Sequence, residues 1–169
     1  MSGPVTRVVT FSRHGSTDEV GAWIAAALNR EQNRSVYLTD STEDPSTGLG
    51  EASAVIVGVP VYAQHFLAEA RHFLAARQRL LASRELWLFT CSIGVSGVND
   101  LPHDAPDLAP AGVAHFAGSL DFASLNRAER LLMRALGQSG GDRRERTGVE
   151  RWAASIGRVG ALVAPVPHR

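Results

Sequence analysis

Short apolar runs alternate along this chain with longer stretches in which apolar residues recur every three or four positions. The short runs have strand length and β-branched content, and they predict strands at residues 5–11, 35–39, 54–59, 85–91 and 113–119. The longer stretches predict helices at residues 17–29, 64–81, 125–136 and 149–162. Strands and helices that alternate in this way predict an α/β fold, in which helices cover both faces of a parallel sheet.

The segment between the first strand and the first helix has the composition of an anion site. It reads Ser12-Arg13-His14-Gly15-Ser16-Thr17, with three hydroxyl side chains around one glycine. The first N–H groups of a helix have no partner within the helix, so a phosphate against this loop can accept their hydrogen bonds. The loop is not a Walker motif, because the chain contains no lysine, and it lacks the three glycines of a dinucleotide fingerprint. The alternative is an ordinary N-cap, in which a loop hydroxyl only caps the helix.

The order of the motifs resembles that of flavodoxins, whose first loop binds the phosphate of FMN. The loop is similar in particular to that of the flavodoxin-like protoporphyrinogen dehydrogenases, whose Arg-x-Gly-x-Thr pattern corresponds to Arg13, Gly15 and Thr17. The resemblance returns at residues 55–58, 117–120, 131–133 and 139–141. It implies a three-layer, doubly wound, flavodoxin-like sheet of five parallel strands in the order 2-1-3-4-5, and it implies FMN as the cofactor.

Ligands of doubly wound sheets bind at the carboxyl ends of the strands, which selects the loops after the first, third and fourth predicted strands. By the resemblance, these loops hold the phosphate, one face of the flavin ring and its pyrimidine edge. Tyr62 would stack on the ring, and the alternative is a Tyr62 that caps the sheet edge with its hydroxyl in water. The candidate cofactor-binding residues are Ser12, Arg13, His14, Gly15, Ser16, Thr17, Pro60, Val61, Tyr62, Ala63, Ser92, Ile93, Gly94 and Gly97.

Length and composition narrow the class of protein. With 169 residues, the chain is expected to form one flavodoxin-like domain. Its formal net charge of +0 gives no global field that would attract nucleic acid. The single Cys91 cannot form an internal disulfide, and no apolar run is long enough to span a bilayer. We therefore expect a cytoplasmic protein, and the scattered histidines predict no metal site.

Residues 121–148 form a longer connection than a sheet and a helix require, and we expect an extra helix and loop there. Arg127, Arg130 and Arg134 fall on one face of the predicted helix. The protoporphyrinogen dehydrogenases have an extra basic helix at the same place, so the resemblance implies contact with substrate propionates or peripheral contact with a membrane. The alternative is a charged face that is only solvated. A homodimer is a further expectation.

Two features favour an enzyme over an electron carrier. Residues 92–100 contain no aromatic side chain, whereas carrier flavodoxins hold the flavin between two aromatic rings. Carriers also tend to be strongly acidic, and this chain is neutral. We therefore predict an FMN-dependent oxidoreductase that passes electrons from a small reduced substrate to a quinone or another acceptor, with no catalytic acid or base identified. An electron-transfer flavodoxin without its own substrate and a cofactor-free interaction protein are the alternatives.

Overall fold

A twisted parallel sheet forms the centre of the computed structural model, which describes residues 4–31, 34–92, 106–120, 127–128, 131, 141–142 and 145–162. Within these residues, the five parallel strands are β1 (Val5–Thr10), β2 (Ser35–Thr39), β3 (Ala54–Tyr62), β5 (Glu85–Ser92) and β6 (Gly112–Ala117). They lie in the order β2-β1-β3-β5-β6. A two-residue strand, β4 (His65–Phe66), pairs antiparallel with the end of β3. Counted among the five parallel strands, this is the predicted order 2-1-3-4-5, which is confirmed.

Helices cover both faces of the sheet, as the alternating pattern predicts. The helices whose bounds lie within the described residues are α1 (Ser16–Glu31), α2 (Ala68–Ala76), α3 (Gln78–Ala82) and α4 (Arg146–Leu162), and a short 3₁₀ turn spans Leu49–Glu51. α1 and α4 pack against one face around Ile56, Trp87 and Phe89. α2 and α3 pack against the other face around Val55, Val57 and Leu88. The three-layer arrangement follows from β3, which is buried on both sides along most of its length.

The helical periodicity of residues 17–29 is confirmed by the burial of one face of α1. Val20, Ile24, Ala27 and Leu28 are all buried against the sheet. Gly21 lies on the side of α1 that meets β1, and a Cβ at this position would overlap the side chain of Thr10. The absence of a side chain at Gly21 therefore lets the first turns of α1 approach the end of β1 closely.

The helix predicted for residues 64–81 is wrong at its start. β3 continues through Pro60 to Tyr62, the chain reverses at Ala63 and Gln64, and β4 runs back along it. The helical pattern begins only at Ala68, and it is interrupted at Arg77 between α2 and α3. The apolar spacing misled the prediction because Phe66 is buried in the same cluster as the apolar residues of α2.

The chain after β6 also differs from the prediction in three places. β6 ends at Ala117, and a separate strand, β7 (Ser119–Leu120), pairs with β8 (Gly141–Asp142) inside the predicted loop at 137–148. α4 begins at Arg146 rather than at residue 149, and a salt bridge of 3.0 Å from Arg146 to Glu150 stabilises its first turns. Of the helix predicted at 125–136, only residues 127, 128 and 131 lie within the described residues; they are helical and exposed. None of the helices in the described part of the chain has the length and apolarity of a membrane span.

Candidate functional site

The loop between β1 and α1 is held by its own hydrogen bonds. Gly15 has a φ of 83°, a left-handed conformation that a glycine adopts without strain. Its N–H donates to the Ser12 hydroxyl over 2.8 Å, and its carbonyl accepts the Glu19 N–H over 3.1 Å. α1 begins at the next residue, Ser16. The backbone therefore turns sharply at Gly15 and presents the N-terminus of α1 to the space beyond β1.

Asp18 fastens this turn to two neighbouring segments. One carboxylate oxygen accepts the Thr10 hydroxyl over 2.6 Å and the Ser41 N–H over 3.2 Å, and the other oxygen accepts the Ser41 hydroxyl over 2.6 Å. The carboxylate is thus engaged by the end of β1 and by the loop after β2. A negative charge in the first turn of a helix also stabilises that helix. Sequence reasoning gave no role to Asp18 or Ser41, because only the fold brings them together.

A pocket opens where four strands reach the same edge of the sheet. Its wall includes the carboxyl end of β3, the last buried residue of β5 and the residue that follows β6. The lining residues are Ser12, His14, Ser16, Thr17, Pro60, Tyr62, Cys91 and Gly118. This lining carries three aliphatic hydroxyls and no carboxylate. The pocket is therefore suited to an anion, which hydroxyl donors and the positive end of α1 stabilise.

Cys91 and Thr17 form the floor of the pocket. Thr17 is 1% exposed and Cys91 is 4% exposed, and their side chains form a hydrogen bond. Burial raises the pKa of the Cys91 thiol to about 12, and the hydrogen bond with Thr17 opposes this shift only in part. Cys91 is therefore a neutral thiol at physiological pH. A neutral thiol at this position is compatible with an anion nearby, whereas a thiolate would repel it.

Tyr62 and Arg13 lie at the rim. Tyr62 ends β3 and pairs with His65 across a two-residue turn, in which Ala63 and Gln64 have φ values of 47° and 68°. Positive φ at both central residues matches the twist of a tight hairpin, but it is unfavourable for residues with a Cβ. The guanidinium carbon of Arg13 lies 5.8 Å from the centroid of the Tyr62 ring. The turn thus places an aromatic ring beside the hydroxyl-rich loop.

The structure brings together most of the predicted residues that it describes. Four residues of the loop after β1 line the pocket, and Pro60 and Tyr62 join them from β3. Arg13 lies at the rim, and Gly15 forms the turn that precedes α1 without lining the pocket. Val61 is half-buried and packs against the core, and Ala63 is exposed in the turn. Ser92 pairs with Val61, and its carbonyl accepts the Gly118 N–H over 2.8 Å. The remaining predicted residues, Ile93, Gly94 and Gly97, lie outside the described residues.

Cys91 and Gly118 were missed as site residues. Cys91 is buried, as free cysteines usually are, so its burial alone does not mark it as a site residue. Its place in the pocket follows from register, since Cys91 pairs with Pro60 on one side and with Phe116 on the other. Gly118 follows the fifth parallel strand, whose carboxyl end was not considered. The rule that ligands bind at the carboxyl ends of strands would have found it.

A family model described as a flavodoxin domain matches residues 7–147 of the chain. The chain belongs to this flavodoxin family. The match begins inside β1 and continues to the start of α4, so it includes the loop Ser12–Thr17 and the strands that line the pocket. A comparison with curated protein sequences gives no match.

Solved structures show the same fold at low sequence identity. Oxidised flavodoxin 1 from Bacillus cereus is 12% identical with a TM-score of 0.58, and the match covers 91% of this chain and 97% of that one. A flavodoxin from Streptococcus pneumonia TIGR4 is 14% identical with a TM-score of 0.58, over 92% and 99% of the two chains. Rubredoxin oxygen:oxidoreductase from Desulfovibrio gigas is 17% identical with a TM-score of 0.54, over 96% of this chain and 38% of that one. These likenesses establish the flavodoxin-like fold of the chain.

Proposed function

We propose that this protein binds FMN and acts as an FMN-dependent oxidoreductase, with the phosphate of the cofactor in the loop Ser12–Thr17. The observation that carries the proposal is the convergence of three hydroxyls and the N-terminus of α1 in one pocket that has an aromatic ring at its rim. These groups fit a phosphate monoester attached to a flat, apolar ring system. Membership of the flavodoxin family supports the same cofactor.

The residues of the pocket have separable roles in this proposal. Ser12, Ser16 and Thr17 supply hydroxyl groups for the phosphate, together with the first N–H groups of α1. Asp18 holds the loop, and hydrogen bonds from Thr10 and Ser41 stabilise its negative charge. Tyr62 covers one face of the ring and excludes water from it. When bound, FMN supplies a ring that takes up and releases electrons.

The choice of an enzyme over a carrier rests on the net charge of the chain and on the sequence of residues 92–100. The neutral chain lacks the acidic field that steers carriers to basic partners. Residues 92–100 offer no second aromatic ring, so the proposal leaves one flavin face accessible to a substrate. The finer proposal is a protoporphyrinogen dehydrogenase that reduces a quinone, with Arg127, Arg130 and Arg134 near the substrate or a membrane. Among these three, Arg127 is within the described residues and is exposed.

The second candidate is an electron-transfer flavodoxin without its own substrate. It is favoured by the two flavodoxin structures whose chains are matched over 97% and 99% of their length. A turnover assay distinguishes the oxidoreductase from the electron-transfer flavodoxin. The FMN-loaded protein is mixed with a porphyrinogen and a quinone, and it is mixed separately with a reductase that supplies electrons. Consumption of porphyrinogen supports the enzyme, whereas rapid reduction by the reductase without such consumption supports the carrier.

Cofactor binding is tested first by titration of the apoprotein with FMN, followed by flavin fluorescence. We expect each removal of a loop hydroxyl, in Ser16→Ala or Thr17→Ala, to weaken FMN roughly tenfold or more, since hydrogen bonds to a charged group are lost. Thr17→Ser keeps the hydroxyl and should bind nearly as well. Ser83→Ala, on the exposed surface after α3, is the control for removal of a hydroxyl elsewhere. A folded protein that does not bind FMN would leave the interaction-protein alternative.

A further inference from the structure

His14 brings to the wall of the pocket a side chain that can carry a positive charge. Among the described residues that line the pocket it is the only such residue, since the others offer hydroxyl, phenol, thiol, proline and glycine groups. Its side chain is half-buried in the loop that also contributes Ser12 and Ser16. Within the described part of the chain, the imidazole has no hydrogen-bond or ionic partner. Its ring nitrogens are therefore available to a ligand of this pocket.

The charge of a histidine changes within the physiological range of pH, because the ring takes up a proton as the pH falls from about 8 to 5. The imidazolium has two N–H donors, whereas the neutral ring has one donor and one acceptor. A hydrogen bond from a charged donor to an anion is shorter and roughly twice as strong as a neutral one. An anion in the pocket should therefore bind more tightly when His14 is protonated, and this advantage should be lost as the pH rises.

The charged groups closest to His14 in the chain do not supply this dependence on pH. Arg13 lies at the rim of the pocket, and a guanidinium keeps its charge throughout this range. Asp18 and Glu19 lie in the first turn of α1, and neither is paired with His14. The Asp18 carboxylate instead accepts hydrogen bonds from Thr10 and Ser41.

The titratable groups of the neighbouring strands also face different partners. The Tyr62 phenol and the Cys91 thiol line the pocket from β3 and β5, and burial keeps the thiol neutral because its pKa is about 12. His65 pairs with Tyr62 across the hairpin turn, but it is exposed and does not line the pocket. His115 on β6 is bonded to the Thr90 hydroxyl over 2.7 Å. His65 therefore needs a control of its own in any measurement against pH.

We propose that His14 binds the phosphate group of the cofactor and makes its affinity depend on pH. The protonated imidazole donates to the phosphate together with the loop hydroxyls, so that binding of the anion favours uptake of one proton from solvent. Release of this proton at higher pH weakens the contact. The inference rests on the proposed function for the identity of the cofactor, but the step that involves the proton requires only an anion in the loop Ser12–Thr17.

The first experiment compares FMN with riboflavin, which has the same ring system but no phosphate. Affinities are measured by flavin fluorescence at pH 5.5 and pH 8 in the wild-type protein and in His14→Gln, which keeps a neutral donor. A phosphate monoester itself titrates near pH 6, so the two proteins are compared at each pH. We expect His14→Gln to weaken FMN roughly fivefold or more at pH 5.5, the lower end of a typical coupling, and by less than about twofold at pH 8. Riboflavin should bind equally to both proteins.

Three further variants show whether the charge at position 14 is responsible. His14→Lys keeps a positive charge at both pH values, so it should bind FMN about as well as the wild type at pH 5.5 and more tightly at pH 8. His65→Gln removes the histidine of the neighbouring hairpin, and His72→Gln removes an exposed histidine of α2. Both should keep the pH profile of the wild type. An equal loss of FMN affinity at the two pH values in His14→Gln would overturn the proposal.

Sulfate distinguishes failure of this inference from failure of the proposed function, because its charge is constant between pH 5.5 and pH 8. The backbone signals of Ser16 and Thr17 are followed by ¹⁵N NMR during titration with sulfate at constant ionic strength. Sulfate that binds more tightly at pH 5.5 than at pH 8 in the wild type, but not in His14→Gln, supports the role of His14 even in a protein that does not bind FMN. Sulfate binding that is absent or independent of pH in the wild type overturns it. A protein that binds FMN with the same pH profile in both forms keeps the proposed function and loses the inference.

Discussion

The hydroxyl of Thr10 donates a 2.6 Å hydrogen bond to the carboxylate of Asp18, which ties the last residue of β1 to the first turn of α1. The same carboxylate accepts both donors of Ser41 from the loop after β2. Three segments that are distant in the chain therefore share one charged acceptor. The geometry of the loop Ser12–Thr17 depends on this acceptor, because the loop lies between Thr10 and Asp18.

Replacement of Asp18 should measure what this acceptor contributes. We expect Asp18→Asn to lower the free energy of unfolding by about 1–3 kcal/mol, since the charged acceptor is replaced by an amide that accepts through only one, neutral oxygen. Urea unfolding monitored by circular dichroism gives the value. Glu69→Gln removes an exposed acidic residue from the first turn of α2 and controls for the helix dipole alone. Equal losses in the two variants would contradict the bridging role of Asp18.

Replacement of Gly15 should lower the stability of the protein because of its backbone conformation, and not because a side chain would lack space. A Cβ at Gly15 would meet no atom within 4 Å, but the φ of 83° is left-handed. We expect Gly15→Ala to lower the free energy of unfolding by about 1–2 kcal/mol, and to weaken phosphate binding because the loop shifts. Gly50→Ala is the matched control, since a Cβ at Gly50 is also free of contacts and no left-handed φ is present. A stability loss of the same size in Gly50→Ala would argue against backbone strain at Gly15.

The buried thiol of Cys91 should make stability fall at alkaline pH. The thiol ionises near its ordinary pKa of 9.0 in the unfolded chain and only near 12 in the folded one, so above pH 9 the unfolded state binds fewer protons and gains stability. The stabilisation is fully present below pH 9 and is lost as the pH rises towards 12. We expect a loss of about 1 kcal/mol between pH 9 and 10.

Comparison with Cys91→Ala isolates this effect, because that variant lacks the thiol but keeps every other titrating group. The difference in the free energy of unfolding between the two proteins should change with pH in the alkaline range and stay constant between pH 6 and 8. The thiol of the folded wild-type protein should also react slowly with an alkylating reagent at neutral pH and rapidly in urea. A pH-independent difference would contradict the raised pKa of Cys91.

Replacement of the two central residues of the hairpin turn after Tyr62 should stabilise the protein. Ala63 and Gln64 both have positive φ, which Asn-Gly accepts far better in a two-residue turn. We expect the double replacement Ala63→Asn with Gln64→Gly to raise the free energy of unfolding by roughly 0.5–2 kcal/mol, as backbone strain is relieved. Ala63→Pro, which fixes φ near −65°, should have the opposite effect. Unfolding in guanidinium chloride gives the free energy of unfolding of each variant and of the wild type. A lower value for the Asn-Gly variant than for the wild type would show that the turn is not strained.

The parts of the fold that could be predicted are those with a local pattern. The five strands and α1 follow from runs of apolar residues and from the spacing of Val20, Ile24 and Leu28, and the sheet order follows from the resemblance. The hairpin after β3 could not be predicted, because Ala63-Gln64 carries none of the residues that favour positive φ. The β7–β8 pair could not be predicted either, since two residues are too few to show a strand period.

The residues of the candidate site also fall into those that a local sequence pattern predicts and those that only the fold brings together. Its N-terminal loop is contiguous, so Ser12, Ser16 and Thr17 could be selected together from one short stretch of sequence. Cys91 enters the pocket only through its register with Pro60, and Gly118 enters only through the position of β6 at the edge of the sheet. Register between parallel strands is set by packing across the whole sheet, so it cannot be predicted from a short sequence motif.

The pocket is complete only when the loop after β1, the ends of β3 and β5 and the residue after β6 are all in place, because each of them lines it. Contacts between residues as distant in the chain as Ser12 and Gly118 form slowly, since a long loop must close before they are made. A ligand of this pocket therefore recognises the chain only at the end of folding. It should leave the refolding rate unchanged and slow the unfolding rate, so that retention of the ligand, rather than rapid assembly, would set how long a folded molecule survives.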